Sequence, residues 1–124
     1  MNMSRVLSSI KASLNRNVLY GSVPYDSISI KICQCLYKEG YLSTYCIKNG
    51  RVIFHFKFFE GQRLLNNLRI LYKPSFPYFL SIKNLKIDYN IYKYNYLLAT
   101  PRGILTSKKA IKLNISGLLL AELL

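Results

Sequence analysis

The run Leu97-Leu98-Ala99-Thr100-Pro101-Arg102-Gly103-Ile104-Leu105-Thr106-Ser107-Lys108-Lys109-Ala110 gathers residue types that grip phosphate and sugar. A strand leads into a tight turn, an aliphatic pair follows, and Thr106 or Ser107 can cap a short basic helix. Backbone amides at the turn and at the helix start, together with the Thr100 hydroxyl, can converge on one stretch of polyanion. Arg102, Lys108 and Lys109 supply the charge.

Other chemistry has little support. The single histidine, His55, has no Cys or carboxylate at metal-ligand spacing, and Cys33 and Cys35 on a helix would project about 200° apart. His55 therefore reads as a strand-face or RNA-facing side chain in preference to a catalytic base. Asp26, Glu39, Glu60, Asp88 and Glu122 are scattered, so no paired-carboxylate site can be argued. A Walker phosphate loop, the dinucleotide glycine pattern and a Gly-x-Ser-x-Gly elbow are all missing. We expect no enzyme, no metal and no cofactor.

The charge balance points the same way as the turn. Eighteen Lys and Arg stand against 5 Asp and Glu in 124 residues, a net charge of +13, and the basic residues run from Arg5 to Lys112 without collecting in a tail. That density repels itself unless phosphates or counterions neutralise it, which makes nucleic acid the first candidate partner and an anionic membrane surface the second. No apolar stretch approaches the roughly 20 residues of a membrane span. Three cysteines without a pairing pattern suggest reduced, structural thiols.

The elements that must position the turn follow from spacing. Residues 1–16 are basic and free of acids, a composition shared with mitochondrial presequences. Val6, Leu7, Ile10 and Leu14 nonetheless fall at helical spacing and predict a structural first helix. Val23-Pro24 is expected in a turn. Asp26 or Ser27 then caps a helix with Ile28, Ile32, Cys35 and Leu36 on one face, ended by Gly40. Residues 41–47 and 51–59 read as strands joined by Asn49-Gly50, with Val52, Phe54, Phe56 and Phe58 pointing one way.

A further strand is expected over 68–72, and Pro74 and Pro77 mark a junction. Beyond it the spacing predicts a short strand at 78–81, a polar connection near Asn84, and a Tyr-rich strand over 91–99. Tyr92, Tyr94 and Tyr96 alternate there on one face, where packing beneath a helix is favoured over stacking on bases. A turn at 101–103, a helix through Leu113 with Asn114 in a left-handed conformation, and a strand over 118–123 complete the chain. The fold class is α+β in two small lobes. Residues 1–73 carry two helices with a small antiparallel sheet, and residues 74–124 a small sheet with a short helix.

Here the residues resemble the small-subunit ribosomal protein eight family of bacteria, plastids and many mitochondria. The family signature runs two aliphatics, a hydroxyl residue, Thr, two variable residues, Gly, two aliphatics, four variable residues and Ala. Leu97, Leu98, Thr100, Gly103, Ile104, Leu105 and Ala110 satisfy it in register, whereas Ala99 and Pro101 replace expected hydroxyls. The similarity continues through Leu7 and Ile10, Leu36-Tyr37-Lys38-Glu39-Gly40-Tyr41, Lys57-Phe58-Phe59 with Gly61, and Lys73-Pro74. Departures are Ser75 and Pro77, where the family prefers Gly and Arg, and Leu118, where an acid usually follows Gly117.

The resemblance implies a non-catalytic constituent of the small ribosomal subunit that binds the central domain of small-subunit rRNA, supports its assembly and touches neighbouring ribosomal proteins. Lys108, Lys109 and Lys112 alone would be a solvated helix face; beside the family turn, phosphate contact is the stronger reading. The RNA-binding set on this reading is Thr100, Pro101, Arg102, Gly103, Ser107, Lys108 and Lys109 in the C-terminal lobe, and Lys73, Lys57, Lys11, Arg16 and Lys31 in the N-terminal one. A basic protein that binds a membrane surface or another anionic partner through its amphipathic first helix is the alternative. Abundant Lys, Ile, Asn, Tyr, Leu and Phe mostly have A/T-rich codons. That bias, the compact length and the lack of an extension before the first family helix suggest a mitochondrion-encoded protein, with a plastid as the other possibility.

Overall fold

The computed structural model describes residues 3–16 and 18–124. Its elements in chain order are α1 (Met3–Asn15), β1 (Tyr20–Pro24), α2 (Ser27–Lys38), β2 (Leu42–Lys48), β3 (Arg51–Phe56), β4 (Phe58–Phe59) and β5 (Gln62–Arg63). There follow β6 (Leu68–Ile70), α3 (Ile82–Asn90), β7 (Tyr96–Thr100), β8 (Gly103–Thr106), α4 (Ser107–Lys112) and β9 (Leu118–Leu123). The class is α+β, and the chain divides into two compact units, one ending at Leu68 and the other running Arg69–Leu124.

In the first unit the expected apolar stripe of α1 is inside: Val6, Leu7, Ile10 and Leu14 are buried. Each such side chain contributes roughly 1.5–3 kcal/mol on burial. Asp26 caps α2, accepting from the Ile28 N–H at 3.2 Å. That backbone hydrogen bond also holds the Asp26 carboxyl below its usual range. The helix closes as Tyr41 N–H donates to the Leu36 carbonyl at 2.9 Å and Gly40 N–H to that of Tyr37 at 3.1 Å. α1 lies beside β1 and α2, and α2 against β2 and β3.

The three-stranded sheet has the order β1-β3-β2, antiparallel throughout. Asn49 and Gly50, with φ of 53° and 72°, make the expected tight hairpin between β2 and β3. Val52, Phe54 and Phe56 are buried on one face. Three local expectations fail here. Val23-Pro24 is not a turn but the end of β1; Pro24, which has no N–H to donate, is tolerated because β1 is an edge strand. α1 passes so close over β1 that a Cβ on Gly21 would lie 2.5 Å from Ser13 Oγ and 2.8 Å from Phe54 Cζ. The strand expected to reach residue 59 stops at Phe56, because Lys57 N–H turns to the Tyr41 carbonyl at 3.0 Å. Phe58 and Phe59 then pair with β5 and are exposed.

The second unit is built on a four-stranded sheet in the order β6-β9-β7-β8. β9 carries a bulge at Leu120, since Leu97 faces Ala121 while Leu98 faces Leu119. The Leu120 carbonyl accepts from Leu71 and Tyr72 N–H at 3.0 and 2.9 Å. A core of Leu80, Leu85, Tyr96, Leu98 and Ala110 joins α3 and α4 to β7. α3 replaces the polar connection expected near Asn84; Ser81 caps it, accepting from Asn84 N–H at 3.2 Å. The short strand expected at 78–81 is one isolated bridge between Phe79 and Leu118. The Tyr-rich strand begins only at Tyr96, so of the three alternating tyrosines Tyr96 alone is buried. Among the described residues no helix is long and apolar enough to cross a membrane.

No basic residue stands in the last turn of α1. Arg63 serves that end from β5: its Nη2 donates to the Leu14 carbonyl at 2.8 Å, and its guanidinium sits 5.6 Å from the centre of the Phe56 ring. Arg63→Ala is expected to cost about 2 kcal/mol in urea unfolding, and Arg63→Lys to recover only part of it, because an ammonium lacks the planar face.

Candidate nucleic-acid interface

The turn between β7 and β8 is fixed by its own side chains. Pro101 sets the first corner through its locked φ, and Gly103, at φ 101°, takes the left-handed position that closes it. Thr100 Oγ1 donates to the Gly103 carbonyl at 2.7 Å and accepts from Arg102 N–H at 3.1 Å. The hydroxyl donor and the Arg102 amide, both expected to face a ligand, are therefore spent holding the loop. What the turn offers outward is the exposed Arg102 side chain.

The helix start is supported from beneath. Leu97 pairs with Thr106, so Tyr96 lies opposite Ser107, one step past the end of β8. There the Tyr96 N–H donates to Ser107 Oγ at 2.8 Å. Ser107 is completely buried, which corrects its expected place in the ligand-facing set: its hydroxyl braces β7. Thr106 occupies the capping position of α4 without a side-chain capping bond, and its Oγ1 is buried without a partner. Lys108 and Lys109 follow as exposed residues. α4 ends at Lys112, one residue short of the expected Leu113, and Asn114 beyond it takes the expected left-handed conformation at φ 57°, with Ile115 N–H donating to the Ala110 carbonyl at 3.0 Å.

Sequence reasoning missed what Gly117 does. A Cβ there would run into the Ala99 carbonyl oxygen and lie 2.9 Å from the Ala99 carbonyl carbon and 3.0 Å from Thr100 Cα. The chain entering β9 thus packs against the base of the turn, and only glycine permits the approach. The carbonyl of Gly117 also accepts from Leu80 N–H at 3.0 Å.

Both acids of the second unit are engaged. Asp88 Oδ2 accepts from the Tyr96 hydroxyl at 2.9 Å, and burial followed by that hydrogen bond pushes the phenol above its ordinary range. Glu122 lies 3.8 Å from Arg69 Nη1. Apart from these two, every charged residue from Arg69 to Leu124 is basic. Arg102, Lys108 and Lys109 thus stand exposed on a hydrogen-bonded frame, with the chemistry of phosphate binding. Lys73, also in this unit, is exposed, and its carbonyl accepts from Phe76 N–H at 3.0 Å.

In the first unit Lys31 and Lys57 are exposed and Lys11 is half-buried on α1. Arg16 is exposed at the end of α1 and lines a cleft of about 480 Å³ with Ser9, Ser13, Tyr20, Ser22 and Arg51. Arg51, which the sequence reading left out, is held by Ser22: Nε donates to Oγ at 3.1 Å and Nη2 to the carbonyl at 3.3 Å. Only the pairing of β1 with β3 brings it there, so no local signal marks it. Burial pushes the thiols of Cys33 and Cys35 up to about 12, leaving them protonated at neutral pH. Among the described residues no three His, Cys, Asp or Glu gather as a metal site.

Comparison with known proteins bears on this geometry. The family model for ribosomal protein S8 matches residues 2–124. The small ribosomal subunit protein uS8 of Rickettsia typhi is 28% identical over 121 residues, covering 94% of this chain and 91% of that protein. That of Buchnera aphidicola is 29% identical over 104 residues (82% and 79%), and that of Mycoplasmopsis pulmonis 26% over 120 (94% and 90%).

Gly117→Ala tests the close approach. It is expected to lower stability by at least about 2 kcal/mol in urea unfolding, as backbone strain in a packed site should, and to shift the amide resonances of residues 99–103 while leaving those of β2 and β3 in place.

Proposed function

Since the chain belongs to the ribosomal protein S8 family, we propose that it works as a structural constituent of the small ribosomal subunit that binds the central domain of small-subunit rRNA and supports assembly. The observation that carries the binding role is the pairing of a turn locked by Thr100 with exposed Arg102, Lys108 and Lys109, in a unit whose two acids are already engaged. Phosphates neutralise those cations and release counterions, while the frame beneath them costs nothing to order on binding.

On this reading Arg102, Lys108 and Lys109 contact phosphate, Pro101 and Gly103 shape the loop, and Thr100 acts mainly by holding it. Lys73, Lys57, Lys11, Arg16 and Lys31 are secondary phosphate contacts, each exposed or half-exposed. An A-form RNA helix would be met by shape, phosphates and 2′-hydroxyls, because its major groove is too narrow for side chains. The partners are the rRNA and neighbouring ribosomal proteins, and the chain's part is structural, not catalytic. The membrane-surface alternative loses its anchor, since the apolar stripe of α1 is packed inside.

The test is binding of the purified protein to the central-domain fragment of its own small-subunit rRNA across a salt titration. Saturable binding that weakens steeply with salt is expected. Arg102→Ala should reduce the salt slope by about one, and Thr100→Ala with Arg102→Ala should cost roughly 1 to 3 kcal/mol. Equal, weak binding to any RNA would refute the assignment.

The ribosome concerned is, on our proposal, mitochondrial, with a plastid as the alternative; the A/T-codon composition supports an organelle genome. Peptide mapping of purified organelle ribosomes should find the chain in their small subunits, and recovery solely from cytosolic ribosomes would overturn the location.

A further inference from the structure

Tyr92 and Tyr94 are 59% and 42% exposed, although their alternation with Tyr96 would have let a regular strand bury all three. Their rings lie nearly parallel, 5.8 Å between centres at 19°, and Tyr94 continues to Tyr96 at 6.1 Å and 42°. The backbone fixes this ladder. Lys93, between the two tyrosines in sequence, takes φ 62°, a left-handed conformation that costs a non-glycine residue energy, and Tyr94 N–H donates to the Asp88 carbonyl at 2.9 Å. At the inner end Tyr96 is held by its hydroxyl on Asp88 and its amide on Ser107.

We propose that Tyr92 and Tyr94 form a platform on which an unpaired RNA base stacks. The inference rests on the rRNA-binding reading and deepens it, adding a base contact to a surface otherwise built for phosphate. Ordered, outward-facing rings suit a base because every base has a flat π-face, and little side-chain freedom is lost on stacking. The charge around them favours a polyanion. Lys93 lies between the rings in sequence, and Lys108 and Lys109 follow directly on Ser107, the residue bonded to Tyr96. The nearest acid in sequence, Asp88, is occupied by the Tyr96 hydroxyl.

The platform and the turn lie toward opposite ends of β7. Tyr96 and Thr100 are four residues apart on the strand, about 13 Å at the usual rise, so one folded RNA segment can reach both. The turn would hold phosphates in a paired region, and the tyrosines would take a bulged or looped-out nucleotide. Ile91, 67% exposed beside Tyr92, offers a protein partner some apolar surface as well, but the nearest charged residue in sequence is the cationic Lys93.

The experiment compares full-length wild type, Tyr92→Leu with Tyr94→Leu, and Tyr92→Phe with Tyr94→Phe, binding the same rRNA central-domain fragment. The Leu pair keeps apolar bulk and loses the rings; it should bind about tenfold more weakly or worse. The Phe pair should stay within about twofold, and the salt slope should be the same for all three, since no phosphate contact is removed. Should the Leu pair lower thermal stability, Tyr92→Leu alone, at the more exposed position, decides by the same criterion. If wild type binds saturably and the Leu pair equals it, the platform is refuted while the rRNA reading stands. Normal RNA affinity with failed incorporation into reconstituted small subunits would assign the surface to a protein partner and also refute it. If wild type itself shows no saturable binding, both readings fall together.

Discussion

At the point where β8 stops and α4 begins, the amide of Tyr96 still faces a position where the ladder would have supplied a carbonyl. The Ser107 hydroxyl fills it at 2.8 Å, fully buried. An amide left unsatisfied there would cost roughly 1–3 kcal/mol, so the bond ties the first residue of α4 to the first residue of β7. Everything exposed nearby depends on that tie. The strand leads to the turn, the helix start carries Lys108 and Lys109, and the tyrosine ladder departs from the same residue. Gly117 secures the other end by letting the chain entering β9 lie against Ala99 and Thr100.

Electrostatics then decides what the frame is for. Asp88 accepts from Tyr96 and Glu122 faces the exposed Arg69, so both acids have partners away from Arg102, Lys108 and Lys109. The remaining charges of this unit are basic and lie open or nearly so, a surface that repels itself in isolation and gains by meeting phosphate. Family membership gives that surface a place in the small ribosomal subunit. The structure adds a division of labour: Thr100 and Ser107 hold, while Arg102, Lys108 and Lys109 face outward.

Much of the fold was legible where local chemistry and burial agree. Asn49-Gly50, the stripe of α1, the Asp26 cap and the left-handed Asn114 all carry their structural reason within a short run of neighbouring residues. The failures have a common cause in long-range pairing. β1 is a strand only because β3 offers it an edge, and Phe58 leaves the core because Lys57 bonds to Tyr41. α3 was missed because Leu85 is its one buried residue, too few to show a period. At the site, the signature located the turn and the helix start, but hydroxyls were read as ligands when two of them are structural. Neither the inward Ser107 nor the crowding at Gly117 has a sequence signal without the register of β7 against β8 and β9.

The central claim is that the phosphate-facing surface exists before RNA arrives, held by the Ser107–Tyr96 bond. Amide hydrogen exchange of the free chain tests it most directly, followed by the same measurement with the rRNA fragment bound. The account requires Tyr96 to exchange slowly in both states, at the rate of global unfolding, with new protection on binding confined to the turn and the exposed start of α4. A Tyr96 amide that exchanges freely until RNA is added would mean that the nucleic acid builds the site, and would contradict the account.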